Sequence, residues 1–241
     1  MSRTRPKPVR CPTPAMLGQA LGGPLPKPGR RIGLLGGSFN PAHQGHRHIA
    51  LEACKRLKLD EVWLLVSPQN PLKEAAGMAG LEARLASARQ IAQHPRLRVT
   101  TLETALGTRV TADTLKALRC CFPGIDFVWL MGADNLAQVH RWGRWTEIFN
   151  TLPVAVLDRP SYSLSVLYAK AAQRFASARV AERRAATLPG RSAPAWTFLH
   201  IRLNPLSATA LREGRGHLVD GTRTTNHGEA FAHASPRPDK E

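Results

Sequence analysis

Arg31-Ile32-Gly33-Leu34-Leu35-Gly36-Gly37-Ser38-Phe39-Asn40-Pro41-Ala42-His43-Gln44-Gly45-His46 is the stretch that decides the fold. Its first six residues form a short apolar run bounded by glycine, the pattern of a buried strand. Beyond His46 the apolar positions Ile49, Ala50, Ala53 and Leu57 fall at helical spacing, so a helix follows. Between strand and helix lies a glycine-rich turn. Glycine lets the chain turn sharply and brings its N–H groups close to a ligand. A helix opening near His43 points its free N–H groups and positive dipole end at the same space, which predicts an anion site. His43 and His46, three residues apart at that helix start, face one side. Both can donate hydrogen bonds to phosphate oxygens, and a protonated imidazole would stabilise charge developing on them. The plainer readings are a zinc pair or ordinary surface histidines. HxxH spacing can hold zinc, but no third ligand stands out and zinc would not require the glycines.

Working outward, Val62–Val66, Leu97–Thr101, Phe127–Met131, Val154–Leu157 and Trp196–Ile201 read as further strands. Helices are predicted around Leu81, Leu85, Ala88 and Ala92, over Thr111–Leu118, near Asn135–Val139 and Thr146–Phe149, over Leu164–Arg184, and over Ser207–Glu213. Strands alternating with helices at this spacing predict an α/β fold: a doubly wound, Rossmann-like parallel sheet with helices on both faces, one domain spanning 31–213. In such sheets ligands bind beyond the carboxyl ends of the strands, near the switch in strand order.

The two ends differ from the middle. Residues 1–30 are rich in proline and basic residues and hold no acid, and 214–241 are polar. Both are expected to be disordered. The formal charge of +17 asks for an anionic partner without choosing among nucleic acid, an anionic membrane and phosphate-bearing small molecules. No apolar run approaches the roughly 18 residues of a membrane span. Cys11, Cys54, Cys120 and Cys121 form no CxxC pair and suggest no disulfide framework, which makes a reducing cytoplasm the default.

Two further segments follow strands. In Leu206-Ser207-Ala208-Thr209-Ala210-Leu211-Arg212, Ser207 is a natural helix cap, Thr209 offers a hydroxyl in the first turn, and Arg212 reaches an anion held at that helix end. In Met131-Gly132-Ala133-Asp134-Asn135, Asp134 or Asn135 could simply cap the next helix.

The pattern G-S-F-N-P-x-H-x-G-H resembles the signature of the class I nucleotidyltransferases. The resemblance implies that His43 and His46 bind ATP phosphates, with His46 stabilising the transition state and Gly37, Ser38 and Phe39 giving backbone contacts. Segment 206–212 resembles the family's second signature, S-S/T-T-x-I/L-R, so Ser207, Thr209 and Arg212 would hold the β- and γ-phosphates; Ala208 departs from it. The family's G-x-D segment lies beside the ribose and adenine, which assigns Gly132 and Asp134 to ATP. The intermediate segments resemble bacterial nicotinate-nucleotide adenylyltransferases: Ser67 to Lys73, Thr111 to Leu115, Trp142 to Ile148, and Leu157 to Tyr162. That places Asn70, Lys73, Thr111, Trp142 and Arg159 on the acceptor. A flat nicotinate ring needs an aromatic platform, which Trp142 can supply, and donors for its carboxylate, which the Thr111 N–H can supply. Val110 stands where the family commonly has Tyr, and the tail after Arg215 departs from the family's closing segment.

The implied reaction is attack by the phosphate of nicotinate mononucleotide on the α-phosphorus of ATP. His43, His46, Lys73 and Arg212 would supply the positive field, and Mg²⁺ would bridge phosphate oxygens with few protein ligands. Rival acceptors are nicotinamide mononucleotide and pantetheine phosphate. A basic nucleic-acid-binding protein would need basic residues interleaved with stacking aromatics, and only 6% of the chain is aromatic.

Overall fold

The computed structural model describes residues 11–68, 78–159 and 165–202. Six parallel strands form one sheet in the order β3-β2-β1-β4-β5-β6. They are β1 (Arg31–Gly37), β2 (Glu61–Val66), β3 (Leu97–Thr100), β4 (Asp126–Gly132), β5 (Val154–Leu157) and β6 (Trp196–Leu199). Both faces are covered, so β2 and β5 are buried along their whole length and, Glu61 at the start of β2 apart, read as apolar runs. One core cluster joins Ile32, Leu34, Trp63 and Trp129 on one face. The other joins Leu35, Leu64, Val128 and Leu130 on the opposite face.

The crossover helices are α2 (Gln44–Arg56), α3 (Leu81–Ile91), α5 (Thr111–Cys121), and the short pair α6 (Ala133–Gln138) and α7 (Trp145–Thr151). A one-turn helix α4 (Leu102–Ala105), absent from the sequence pattern, precedes α5. Parallel strands force each crossover helix to run back against the sheet, so α2, α3, α5 and α6 all begin at its carboxyl edge. The strand order reverses between β1 and β4, which pair from Arg31↔Asp126 to Leu35↔Leu130. The loop after β1 and the start of α6 therefore flank the switch-point crevice.

Three expectations are corrected. The first concerns the leader. Helix α1 (Pro14–Leu21) lies inside it, capped by Thr13, whose side chain accepts from the Met16 N–H, and closed by Gly22 at φ 64°. Leu17, Ala20 and Leu21 fall at i, i+3 and i+4 and are buried in the same cluster as Trp63, Phe122 and Phe127. The Thr101 N–H donates to the Ala20 carbonyl at 2.9 Å, which ties α1 to the end of β3. Averaged composition hid one short apolar stripe among the prolines.

The second concerns the cysteines. Cys11 and Cys121 form a disulfide that anchors the start of α1 to the last residue of α5. The two are 110 residues apart, so no local spacing pattern marks them.

The third is the long helix placed over Leu164–Arg184. The described part, from Ser165, is a chain of short turns: 3₁₀ turns Ser165–Tyr168, Ala176–Ala178 and Glu182–Thr187 around α8 (Lys170–Arg174). The Trp196 indole N–H donates to the Phe175 carbonyl at 2.8 Å and the Thr197 hydroxyl to the Val180 carbonyl at 2.9 Å. The Val180 N–H donates to the Trp196 carbonyl. Groups that a continuous helix would pair internally are thus paired sideways with β6. The helix placed over Ser207–Glu213 lies outside the described residues.

Candidate active site

The crevice is built from the loop after β1, the start of α2, the turn from β4 into α6, and the residues after β5. His43 is the N-cap of α2 and His46 its N3 residue, and the two cap each other reciprocally. The His43 ring accepts from the Gly45 N–H through Nδ1 at 3.1 Å, and His46 Nδ1 accepts from the His43 N–H at 3.3 Å. Both Nδ1 atoms are acceptors, so in the neutral rings the proton sits on Nε2. The rings lie 3.9 Å apart between centroids. The sequence reading thus placed the pair correctly, and the structure adds that their backbone-facing nitrogens are already used.

Their electrostatics are not alike. His43 is 4% exposed, and burial first, then the positive Arg159, hold its pKa down to about 4. His43 is therefore neutral at physiological pH, which corrects the expectation that it contributes to the positive field. What it offers is an N–H donor: Nε2 is buried and has no hydrogen-bond partner among the described residues. That leaves His43 able to serve as a neutral donor and not as a cation.

The glycines act differently from expectation. Gly36 and Gly37 belong to β1 and need no left-handed conformation. A Cβ on Gly36 would overlap the Trp129 ring of β4, so glycine there permits close approach of the two central strands. The unusual backbone is at Phe39, with φ 48°. Its ring is buried, 4.9 Å from that of His46. Left-handed backbone at a bulky residue costs energy and persists only where the surroundings fix it.

At the end of β4, Gly132 caps α6 without any side-chain cap, so the plain capping reading of Asp134 is not what the structure shows. Asp134 instead approaches Arg159, with Oδ1 3.4 Å from Nε. A Cβ on Gly132 would collide with both side chains. Asp134 Oδ1 and Arg159 Nε are buried and have no hydrogen bond between them. Arg159, assigned by resemblance to the acceptor, is thus part of the group around His43 and Asp134.

The acceptor-side elements also meet. Val110 is the N-cap of α5 and Thr111 its first residue, a position whose N–H has no intrahelical acceptor. Gly143, next to Trp142, has its Cβ position 3.5 Å from Val110 Cγ1. Trp142 is half-buried against the core. Asp113 and Arg144 form an ion pair and Lys116 and Glu147 another, at 2.6 Å, joining α5 to α7. Among the predicted site residues, Asn70, Lys73, Ser207, Thr209 and Arg212 lie outside the described residues.

Sequence reasoning missed Arg84. It is 2% exposed and donates to the carbonyls of Ala79, Ser38, Ser67 and Pro68 at 3.0, 2.8, 2.6 and 3.0 Å. The signal was present: a lone arginine on the apolar face of Leu81, Leu85 and Ala88. Glu103 was also missed; burial raises its pKa, opposed by hydrogen bonds from Ser67 and Thr114. Among the described residues no cluster of three His, Cys, Asp or Glu could hold a metal ion.

The cytidylyltransferase-like family profile matches residues 34–214. Proteins named "probable nicotinate-nucleotide adenylyltransferase" are close in sequence. One from Methylorubrum extorquens strain PA1 is 55% identical over 182 residues, 76% of this chain and 98% of that protein. One from Cereibacter sphaeroides is 56% identical over 181 residues, 75% of this chain and 96% of that protein. The fold resembles the Plasmodium falciparum nicotinic acid mononucleotide adenylyltransferase complexed with NaAD, with a TM-score of 0.59 at 16% identity, covering 76% and 83% of the two chains. By the family profile over most of its length and this degree of likeness to its relatives, the chain belongs to the cytidylyltransferase-like family and, within it, to the nicotinate-nucleotide adenylyltransferases.

Proposed function

We propose that the chain transfers the adenylyl group of MgATP to the phosphate of nicotinate mononucleotide, giving nicotinate adenine dinucleotide and pyrophosphate in NAD biosynthesis. The observation that carries this is the unpartnered, buried His43 Nε2–H at the start of α2, inside a sheet whose relatives are named for this reaction. A mononucleotide phosphate oxygen attacks the α-phosphorus, the bond to the bridging oxygen breaks, and pyrophosphate leaves. Phosphate oxygens are already nucleophilic, so the enzyme positions the reactants and stabilises charge.

His43 acts as a neutral donor and His46 as its neighbour on the same helix turn, with Arg159 supplying fixed positive charge beside them. Phe39 shields the His46 ring. Ser207, Thr209 and Arg212 are assigned to the β- and γ-phosphates by their motif. Asp134 is paired with Arg159, and Mg²⁺ would enter as part of the MgATP substrate, an ion that takes few protein ligands.

Thr111 at the start of α5 favours an anionic ring substituent, and Trp142 offers the stacking face. No helix among the described residues is long and apolar enough to cross a membrane. We place the reaction in the cytoplasm.

Pyrophosphate release is measured with nicotinate mononucleotide and with its amide under identical MgATP. The carboxylate takes charge-assisted bonds, whereas the amide's NH₂ would set donor against donor, at a cost of about 2–4 kcal/mol. The acid is expected to be preferred roughly 30- to 1000-fold in kcat/KM. Equal values, or a preference for the amide, would leave the chemistry standing and overturn the acceptor assignment.

A further inference from the structure

The loop 38–42 is held by α3 and the residues just before it. Arg84 Nη1 donates to the Ser38 carbonyl at 2.8 Å. The Ala79 N–H donates to Asn40 Oδ1 at 3.2 Å, and the Ala42 N–H to Ser87 Oγ at 3.2 Å. Every second loop residue is thus bonded to the stretch 79–87. Ser87 is itself oriented, its hydroxyl donating to the Arg84 carbonyl at 3.0 Å. Phe39, with its left-handed φ of 48°, lies between two of the three held points. A strained residue needs such over-determination to stay in place.

Arg84 also binds the adjacent loop. The same Nη1 donates to the Ser67 carbonyl at 2.6 Å and Nη2 to that of Pro68 at 3.0 Å, both just after β2. It makes no ion pair among the described residues, so four carbonyl dipoles balance a buried charge. An apolar side chain would pack this helix face without that cost of desolvation. The planar fork of a guanidinium serves a purpose a compact ammonium cannot: it spans carbonyls from separate segments at fixed angles.

We propose that residues 79–87, with Arg84 at their centre, are the positioning element that holds the phosphate loop in its working shape and in register with the loop after β2. The proposal rests on the reading of residues 37–46 as the phosphate loop. Arg84 acts through Ser38 and touches no substrate; it is a positioning residue.

The test compares Arg84→Lys, Ser87→Ala and the double variant with the wild type, using Arg89→Lys, an exposed arginine of the same helix, as control. Each is assayed at a temperature where circular dichroism shows it fully folded. Misplacement by about 1 Å can lower a rate some 10²-fold, so Arg84→Lys should reduce kcat about 10- to 100-fold while KM for ATP changes much less. Ser87→Ala should reduce it less, and the two effects should be non-additive because they act on one loop. Independently of turnover, the imidazole ¹⁵N signals of His43 and His46 should shift in both variants and not in Arg89→Lys. Wild-type kcat together with unshifted histidine signals in folded Arg84→Lys would overturn the proposal. So would a rate loss that only tracks the unfolded fraction. If the wild type itself fails to release pyrophosphate, the functional reading fails and the histidine signals still decide the positioning role.

Discussion

His43 and His46 share a motif and a helix turn, but their burial gives them separate duties. His43 is enclosed and neutral, and its Nδ1 is committed to the Gly45 N–H. His46 is half-buried, under the Phe39 ring, with Nδ1 committed to the backbone of His43. His46→Ala is expected to lower kcat about 10²- to 10³-fold, the usual effect of losing a donor to developing charge. The affinity for ATP, measured by calorimetry without acceptor, should change far less. Turnover close to wild type would remove His46 from the reaction. The sequence pointed to both residues because glycine spacing and histidine type are local features. It could not show that one of them is uncharged, because the elements that bury His43 and the positive Arg159 beside it are distant in sequence.

At the scale of elements, strands and crossover helices were legible wherever a buried apolar run or a helical stripe continued for several residues. β5 was read to the residue, and α2, α3 and α5 within a few positions. Reading failed where long-range bonds overrode the local pattern, as in 165–187, where β6 draws off backbone groups. It failed again at α1, whose three buried apolar residues are too few to stand out beside seven prolines spread over residues 1–30. α1 precedes the residues matched by the family profile, yet it is part of the core of this chain. Cys11→Ser should therefore destabilise the fold, by about 2–4 kcal/mol for loss of a disulfide. In a domain of this size that lowers Tm by roughly 5–15 °C, and reductant should do the same to the wild type. An unchanged melting curve in both cases would show that α1 needs no tether. Catalytic rates at 25 °C should be retained, since neither cysteine lies in the crevice.

For the whole molecule, the buried His43 makes stability depend on pH. Its folded pKa of about 4 lies below the ordinary 6.5, so between these values the unfolded chain binds more protons. Stability is full above about pH 6.5 and falls as the pH drops toward 4. The loss there is about 2–4 kcal/mol. Glu103, whose pKa is raised, works the other way, its stabilisation being lost as pH rises above the ordinary carboxylate range. The comparison with His43→Asn separates them, because Asn keeps a capping acceptor and does not titrate. Denaturant unfolding at pH 7 and pH 4 should show the wild type losing more stability than the variant. Equal losses would place the His43 titration near its unfolded value.

The sequence by itself determined the alternating α/β order, the glycine-rich loop with its two histidines at a helix start, and the neighbourhood of Thr111 and Trp142, because each is written in contiguous residues as hydrophobic period, turn chemistry or motif. Only the tertiary structure decided that Arg159 stands beside His43 and Asp134, that Arg84 braces two loops, and that Cys11 is tied to Cys121. These are pairings between segments far apart in sequence, 110 residues in the case of the disulfide. They depend on which strands are neighbours and which helix ends share the carboxyl edge, and local spacing carries no information about that.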